Sequence, residues 1–189
     1  MHSASSIVRR LLRAALLPVL AVTIAACSDV AAPVESQQNV TLTRDIAFTA
    51  VDSLRVTALD TVDASQLSAL FNSVKTKITR VACQSPLLTV VAYNGSGGAV
   101  IDTLFLYVGP LSATPVDTLT GPTFLSPAQL AGAPPQIMWV NNQVLWNTGN
   151  LLGHAPYGFA LRAYGHATHA ISGMTLRVEF PVTVTYLNN

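Results

Sequence analysis

His154, His166 and His169 form the chain's densest group of possible metal ligands, and two of them sit three apart in His166-Ala167-Thr168-His169. On a helix that spacing would put both imidazoles on one face, whereas on a strand they point to opposite faces. The segment falls between two apparent strands, and only as a loop could it bring both rings to one ion. Tetrahedral zinc wants three or four ligands, and no Cys, Asp or Glu lies near in sequence to complete the set. No metal or cofactor is expected, and the histidines read as residues of an exposed hairpin end. Acid–base chemistry needs paired carboxylates, and the chain's acids are scattered. Two or more of Asp52, Asp60, Asp63, Asp102, Asp117 and His154 would have to share one cleft for the chain to act as a hydrolase of envelope polymers.

Gly95-Ser96-Gly97-Gly98 is similar to the Gly-Asp-Ser-Gly-Gly nucleophile loop of chymotrypsin-like serine proteases. Asn94 stands where that loop has glycine, and the histidine those enzymes place before the serine is represented here only by His2. A serine without a base has no way to lose its proton as it attacks, so the segment reads as a flexible hairpin turn. The two tryptophans suggest recognition rather than catalysis. With Asn141-Asn142 as a two-residue turn, Trp139 faces Val144 and Ile137 faces Trp146, and the other side of the ribbon carries Met138, Val140 and Leu145. A ribbon apolar on both faces is either central in a core or in contact with a glycan, an apolar ligand or a protein. Ile137, Trp139, Val144 and Trp146 are the candidate binding surface.

The start of the chain addresses location. Arg9, Arg10 and Arg13 precede the apolar run Ala14 to Ala26, which ends in Ile24-Ala25-Ala26-Cys27. A charged start, a short apolar stretch and small residues before a cut mark a secretory signal peptide. Pro18 interrupts the run, which falls short of the ~20 residues a spanning helix needs. An aliphatic residue, two small residues and Cys make the segment resemble the lipobox of bacterial lipoprotein precursors, over residues 1–29. That resemblance implies cleavage before Cys27 and lipid on its thiol and amine, with the membrane as partner. Ser28 differs from the aspartate that retains such proteins at the inner membrane of enteric bacteria, so the outer membrane is the implied destination. Arg9-Arg10 resembles a twin-arginine export signal only in its arginine pair and apolar followers, and export of an unfolded chain is the simpler reading.

After Ala26 the chain keeps 163 residues, with seven cations and nine acids and a formal charge of −2. That length suits one domain. A basic stripe is missing, which excludes the usual nucleic-acid footprint. Charged residues make up 10% of the chain, against about 25% in an average soluble domain. Thr, Ser and Asn replace them, as is common on exported β-rich surfaces. With Cys27 lipidated, Cys83 has no disulfide partner and is expected to be buried as a small hydrophobe.

These residues must be positioned mainly by strands. Met174 to Tyr186 alternates apolar and polar residues with a strict period of two, so one face is buried and the other wet. Pro181, on the wet side, cannot donate to a ladder, which predicts an edge strand or a bulge there. Weaker strand signals cover 40–48, 54–62, 75–83, 87–93, 99–108 and 159–164. The runs 87–93 and 99–108 flank Asn94 to Gly98 and read as a hairpin. Helix is scarce: Asp63 or Ser65 can cap a short one through Asn72, and Ser126-Pro127 can open another.

Together these features predict an all-β fold, a mostly antiparallel β-sandwich with one or two short helices, after an N-terminal signal helix and tether. A barrel open at one end is the alternative. A membrane-spanning barrel is not expected, since aromatic girdles and regular strand spacing are missing. The implied organisation is a signal peptide over 1–26, lipidated Cys27 with a flexible tether through 39, and one domain over 40–189. The expected function is a non-catalytic, lipid-anchored binding or structural role in the cell envelope, with an envelope protein or glycan as partner. The envelope-polymer hydrolase is the alternative.

Overall fold

The computed structural model describes residues 32–50, 54–95, 101–115, 117–125, 134–138, 140–169 and 171–188. The signal segment, Cys27, the tether through Ala31, Asp52, Ser96, Ser126-Pro127 and Trp139 lie outside the described residues.

Within the compact body Glu35–Asn188, two mostly antiparallel sheets pack face to face as a β-sandwich. One sheet takes the order β6 (Asp117–Leu125), β5 (Ile101–Gly109), β8 (Gly158–Ala167) and β2 (Arg55–Asp63). The other centres on β9 (Ile171–Asn188), which pairs antiparallel with β3 (Ile78–Cys83) and β4 (Leu87–Gly95). A two-residue β7 (Gln136–Ile137) adds to the outside of β4. β1 (Val34–Ala50) is shared: Thr49 and Ala50 pair with β2, while the strand also neighbours β9.

The alternation in the last strand does what its period implies. Met174, Leu176, Val178, Phe180, Val182 and Val184 are all buried, while Thr175, Arg177, Glu179 and Thr183 stay partly exposed on the other face. Burial of each such apolar side chain is worth about 1.5–3 kcal/mol. Phe180 meets Phe159 of the opposite sheet edge to face, with ring centroids 5.0 Å apart, and so joins the two layers. Thr185 departs from the pattern and is buried; its carbonyl accepts a 3.2 Å bond from Thr79 Oγ1.

Pro181 does not lie on an edge strand. It falls opposite the gap between β3 and β4, which occupy the same side of β9 in succession. Cys83 faces Val182 and Leu87 faces Glu179, so four steps on one side oppose three on the other. The irregularity that proline demands is therefore carried by the facing chain, and Gln84 N donates to the Pro181 carbonyl at 2.9 Å.

Among the described residues, three helices interrupt the strands. Asp63 caps α1 (Ala64–Leu67) by accepting from Ser65 N, and Ser68 caps α2 (Ala69–Val74) by accepting from Phe71 N. Lys75–Lys77 form a 3₁₀ turn, so β3 starts three residues later than its sequence signal. The third helix, α3 (Asn142–Gly153), overturns the expected tryptophan ribbon. Asn141 is no turn residue: its side chain accepts from Gln143 N at 2.8 Å and opens the helix. Thr148, Gly149 and Leu152 then form the buried side, at helical rather than strand spacing. Among the described residues no helix is long and apolar enough to cross a membrane.

Two further expectations change. β4 and β5 do not form a hairpin, because β4 pairs with β9 and β7 whereas β5 pairs with β6 and β8. A glycine-rich loop permits a tight turn but also permits passage from one sheet to another, and periodicity cannot choose between them. The first strand also begins earlier than its sequence signal at Val40, since β1 starts at Val34. Nearly all of Val34 to Asn39 is exposed, and a strand held by its backbone with both faces wet leaves no apolar signature.

Candidate functional site

In the β6-β5-β8-β2 sheet the core side is filled by Val56, Leu104, Leu106, Phe159, Leu161 and Ala163. The residues between them must face outward, and they are not the expected polar set. Register places Leu59, Arg162 and Tyr107 in one row across β2, β8 and β5, and Thr57, Tyr164 and Phe105 in the next. Leu59 is 72% exposed. The rings of Phe105 and Tyr107 stack with centroids 6.0 Å apart.

After β5 the chain folds back over this face. Gly109 makes the return possible, because a Cβ there would lie 2.8 Å from the Cα of Pro115. The returning segment, Leu111 to Pro115, and the strands beneath it enclose a groove of about 390 Å3. Arg162 and Leu59 lie along its floor with Ala160, and Thr57, Thr61, Ser112 and Thr114 contribute hydroxyls. The Arg162 side chain has no hydrogen-bond or ion-pair partner among the described residues.

Asp60, between Leu59 and Thr61 in β2, has the parity of core residues Ala58 and Val62, and its carboxylate is committed on that other side of the sheet. Arg44 Nε and Nη2 grip both oxygens of Asp60, at 2.9 and 2.5 Å, and Thr61 N donates to the same carboxylate at 2.7 Å. The bond to Asp60 holds the Arg44 guanidinium above its ordinary pKa. The outer face around β9 is different in kind. There Arg177 binds Asp45 through both oxygens and Thr183 donates to Asn39, and the Arg177 guanidinium holds the Asp45 carboxyl below its ordinary value.

Among the described residues, the acids and histidines singled out in the sequence are not brought together; Asp52 lies outside them. Asp63 caps α1, Asp117 accepts from Asn147 at 3.0 Å, and His154 bonds the Asn150 carbonyl at the end of α3. His166 is not in a loop but in β8, opposite Arg55 and Thr103, while His169 lies beyond the strand beside Thr168. No group of three His, Cys, Asp or Glu that could hold a metal occurs among the described residues. Cys83 is partly buried, and burial pushes its thiol pKa up to about 12.

Of the candidate binding surface, Ile137 lies in β7 and Trp146 on α3, each 62% exposed. Val144 packs partly buried against the core. The groove itself went unforeseen, although its signal was present. In β5, Phe105 and Tyr107 alternate with Leu104, Leu106 and Val108, so that strand is apolar on both faces.

The fold defines the chain as an all-β sandwich protein. No protein-family model and no curated protein matches it. Among solved structures it is similar to that of Desmodium yellow mottle tymovirus, at 12% identity over 86% of this chain and 89% of that one, with a TM-score of 0.35. Turnip yellow mosaic virus at 100 K gives 11% identity over 84% and 96%, with a TM-score of 0.33. At those scores the likenesses carry no weight for family or function.

Proposed function

We propose that this chain is an exported lipoprotein, anchored in the outer membrane through lipid on Cys27, whose β-sandwich binds an envelope component and carries no catalytic centre. The groove beneath Leu111 to Pro115 carries the binding half of this reading. It combines aliphatic surface, hydroxyls and an unpaired guanidinium, which suits recognition. Among the described residues its lining brings no pair of carboxylates together to share general acid–base work. The lipobox residues Ile24-Ala25-Ala26-Cys27 carry the anchoring half. Several acyl chains, at ~0.8 kcal/mol per buried methylene, make loss from a bilayer negligible.

Exposed Trp146 on α3 offers a second contact, as truncated aromatic anchors commonly cost at least ~2 kcal/mol of binding. Membrane fractionation with Cys27→Ala tests the anchor, and partner retention from solubilised envelopes with Ser112→Trp or Trp146→Ala tests the binding face. Cys27→Ala should release the protein from the membrane. Ser112→Trp, at an exposed groove residue, should keep the fold and lose the partner. A membrane-bound Cys27→Ala protein, or full retention by both binding variants, refutes the corresponding half.

A further inference from the structure

The identity of the ligand can be narrowed from the chemistry of the groove, resting on the binding role proposed above. Arg162 is the discriminating group. Arg44 and Arg177 are each closed by an aspartate in bidentate geometry, but Arg162 meets no acid among the described residues. Its neighbours in register, Leu59 and Tyr107, are uncharged and cannot neutralise it. A planar guanidinium presents two parallel donors that match one carboxylate.

The rest of the groove limits what that carboxylate is attached to. Thr61, Ser112 and Thr114 offer hydroxyls that can both donate and accept, and Thr57, whose hydroxyl already donates to the Ala163 carbonyl, can still accept. A fatty chain would strip water from these groups and from Arg162 without replacing the lost bonds, which is costly. A phosphate dianion would find, among the described lining residues, one cation here and no second to balance its charge. Leu59, Leu111 and Pro115 provide aliphatic surface for the weakly polar face of a sugar ring. A volume of about 390 Å3 accommodates one or two rings.

We infer that the groove binds a singly charged acidic sugar unit, its carboxylate on the Arg162 guanidinium and its hydroxyls among Thr61, Ser112 and Thr114. The test is calorimetric titration of the full chain in detergent with the methyl glycoside of galacturonate, a monoanion, and with its uncharged methyl ester, which has nearly the same shape. The acid should bind at least tenfold more tightly than the ester, and added salt should narrow the gap. Arg162→Gln should cut acid affinity at least tenfold while leaving ester binding and the melting transition unchanged, because the guanidinium supports no other side chain. Arg162→Lys should recover part of the loss by restoring charge without the fork. Equal affinity for acid and ester, or an Arg162→Gln protein that binds the acid as before, overturns the inference. Absence of binding by either sugar also overturns it, and leaves the anchored binding role to stand or fall on partner retention and fractionation.

Discussion

The two sheets are joined in the core by Phe159 and Phe180, and that contact can be weighed directly. Both rings are buried, Phe180 being 1% exposed, and they meet edge to face at 5.0 Å. Truncation of either to Ala removes a ring and leaves a cavity, at a cost of about 3–5 kcal/mol. That is a large part of the ~5–15 kcal/mol by which domains are stable, so Phe→Leu is the more informative change. Loss of a methylene or two of apolar volume and of the ring contact gives about 1–2 kcal/mol for each single variant. If the pair contributes beyond its buried area, by ~0.5–1.5 kcal/mol, that amount is lost once in each single variant and only once in the double. The double variant should therefore fall short of the summed losses by about 1 kcal/mol. Urea unfolding of wild type, Phe159→Leu, Phe180→Leu and the double variant, followed by circular dichroism with a common m value, measures it. Additivity to within ~0.3 kcal/mol would refute the contact across the layers.

Gly149→Ala sets helix preference against packing. Alanine favours α3 by about 1 kcal/mol, but its Cβ would collide with the Val81 carbonyl oxygen, so a net loss of about 1–3 kcal/mol is expected by urea unfolding, and a gain would refute the close approach. Trp146→Ala should change stability by less than ~0.5 kcal/mol, whereas Leu152→Ala on the buried side of α3 should cost about 2–5 kcal/mol. Equal losses would place the tryptophan in the core. With its thiol pKa raised to about 12, Cys83 should react slowly with a disulfide reagent at pH 8 and quickly once urea unfolds the chain. Rapid reaction of the native protein would show a solvated thiolate instead.

Period-two alternation made the sandwich and the last strand legible in the sequence, because β9 is half buried along most of its length. Partner choice was not legible. Asn94 to Gly98 satisfies the chemistry of a hairpin and of a crossing between sheets equally well. Asn141-Asn142 misled for a similar reason: asparagine serves both turns and N-caps, and only the packing of Gly149 on β3 decides for a helix. The groove depends on residues from β2, β8 and the segment after β5, which are distant in sequence and meet only through register. Leu59, Tyr107 and Arg162 each look ordinary in their own strands.

Strand order has a consequence for synthesis. β8 is the inner strand between β5 and β2, and β9 is the strand on which β3 and β4 both depend. Both come last along the domain. Among the described residues, a nascent chain ending before Gly158 holds only the pairings β1 with β2, β5 with β6 and β4 with β7, and no complete layer. Such pieces are marginal in water, and closing the long loops that bring β8 and β9 between them is slow. The polypeptide thus stays open until nearly all of it has been made, in the state that an export channel for unfolded chains can thread.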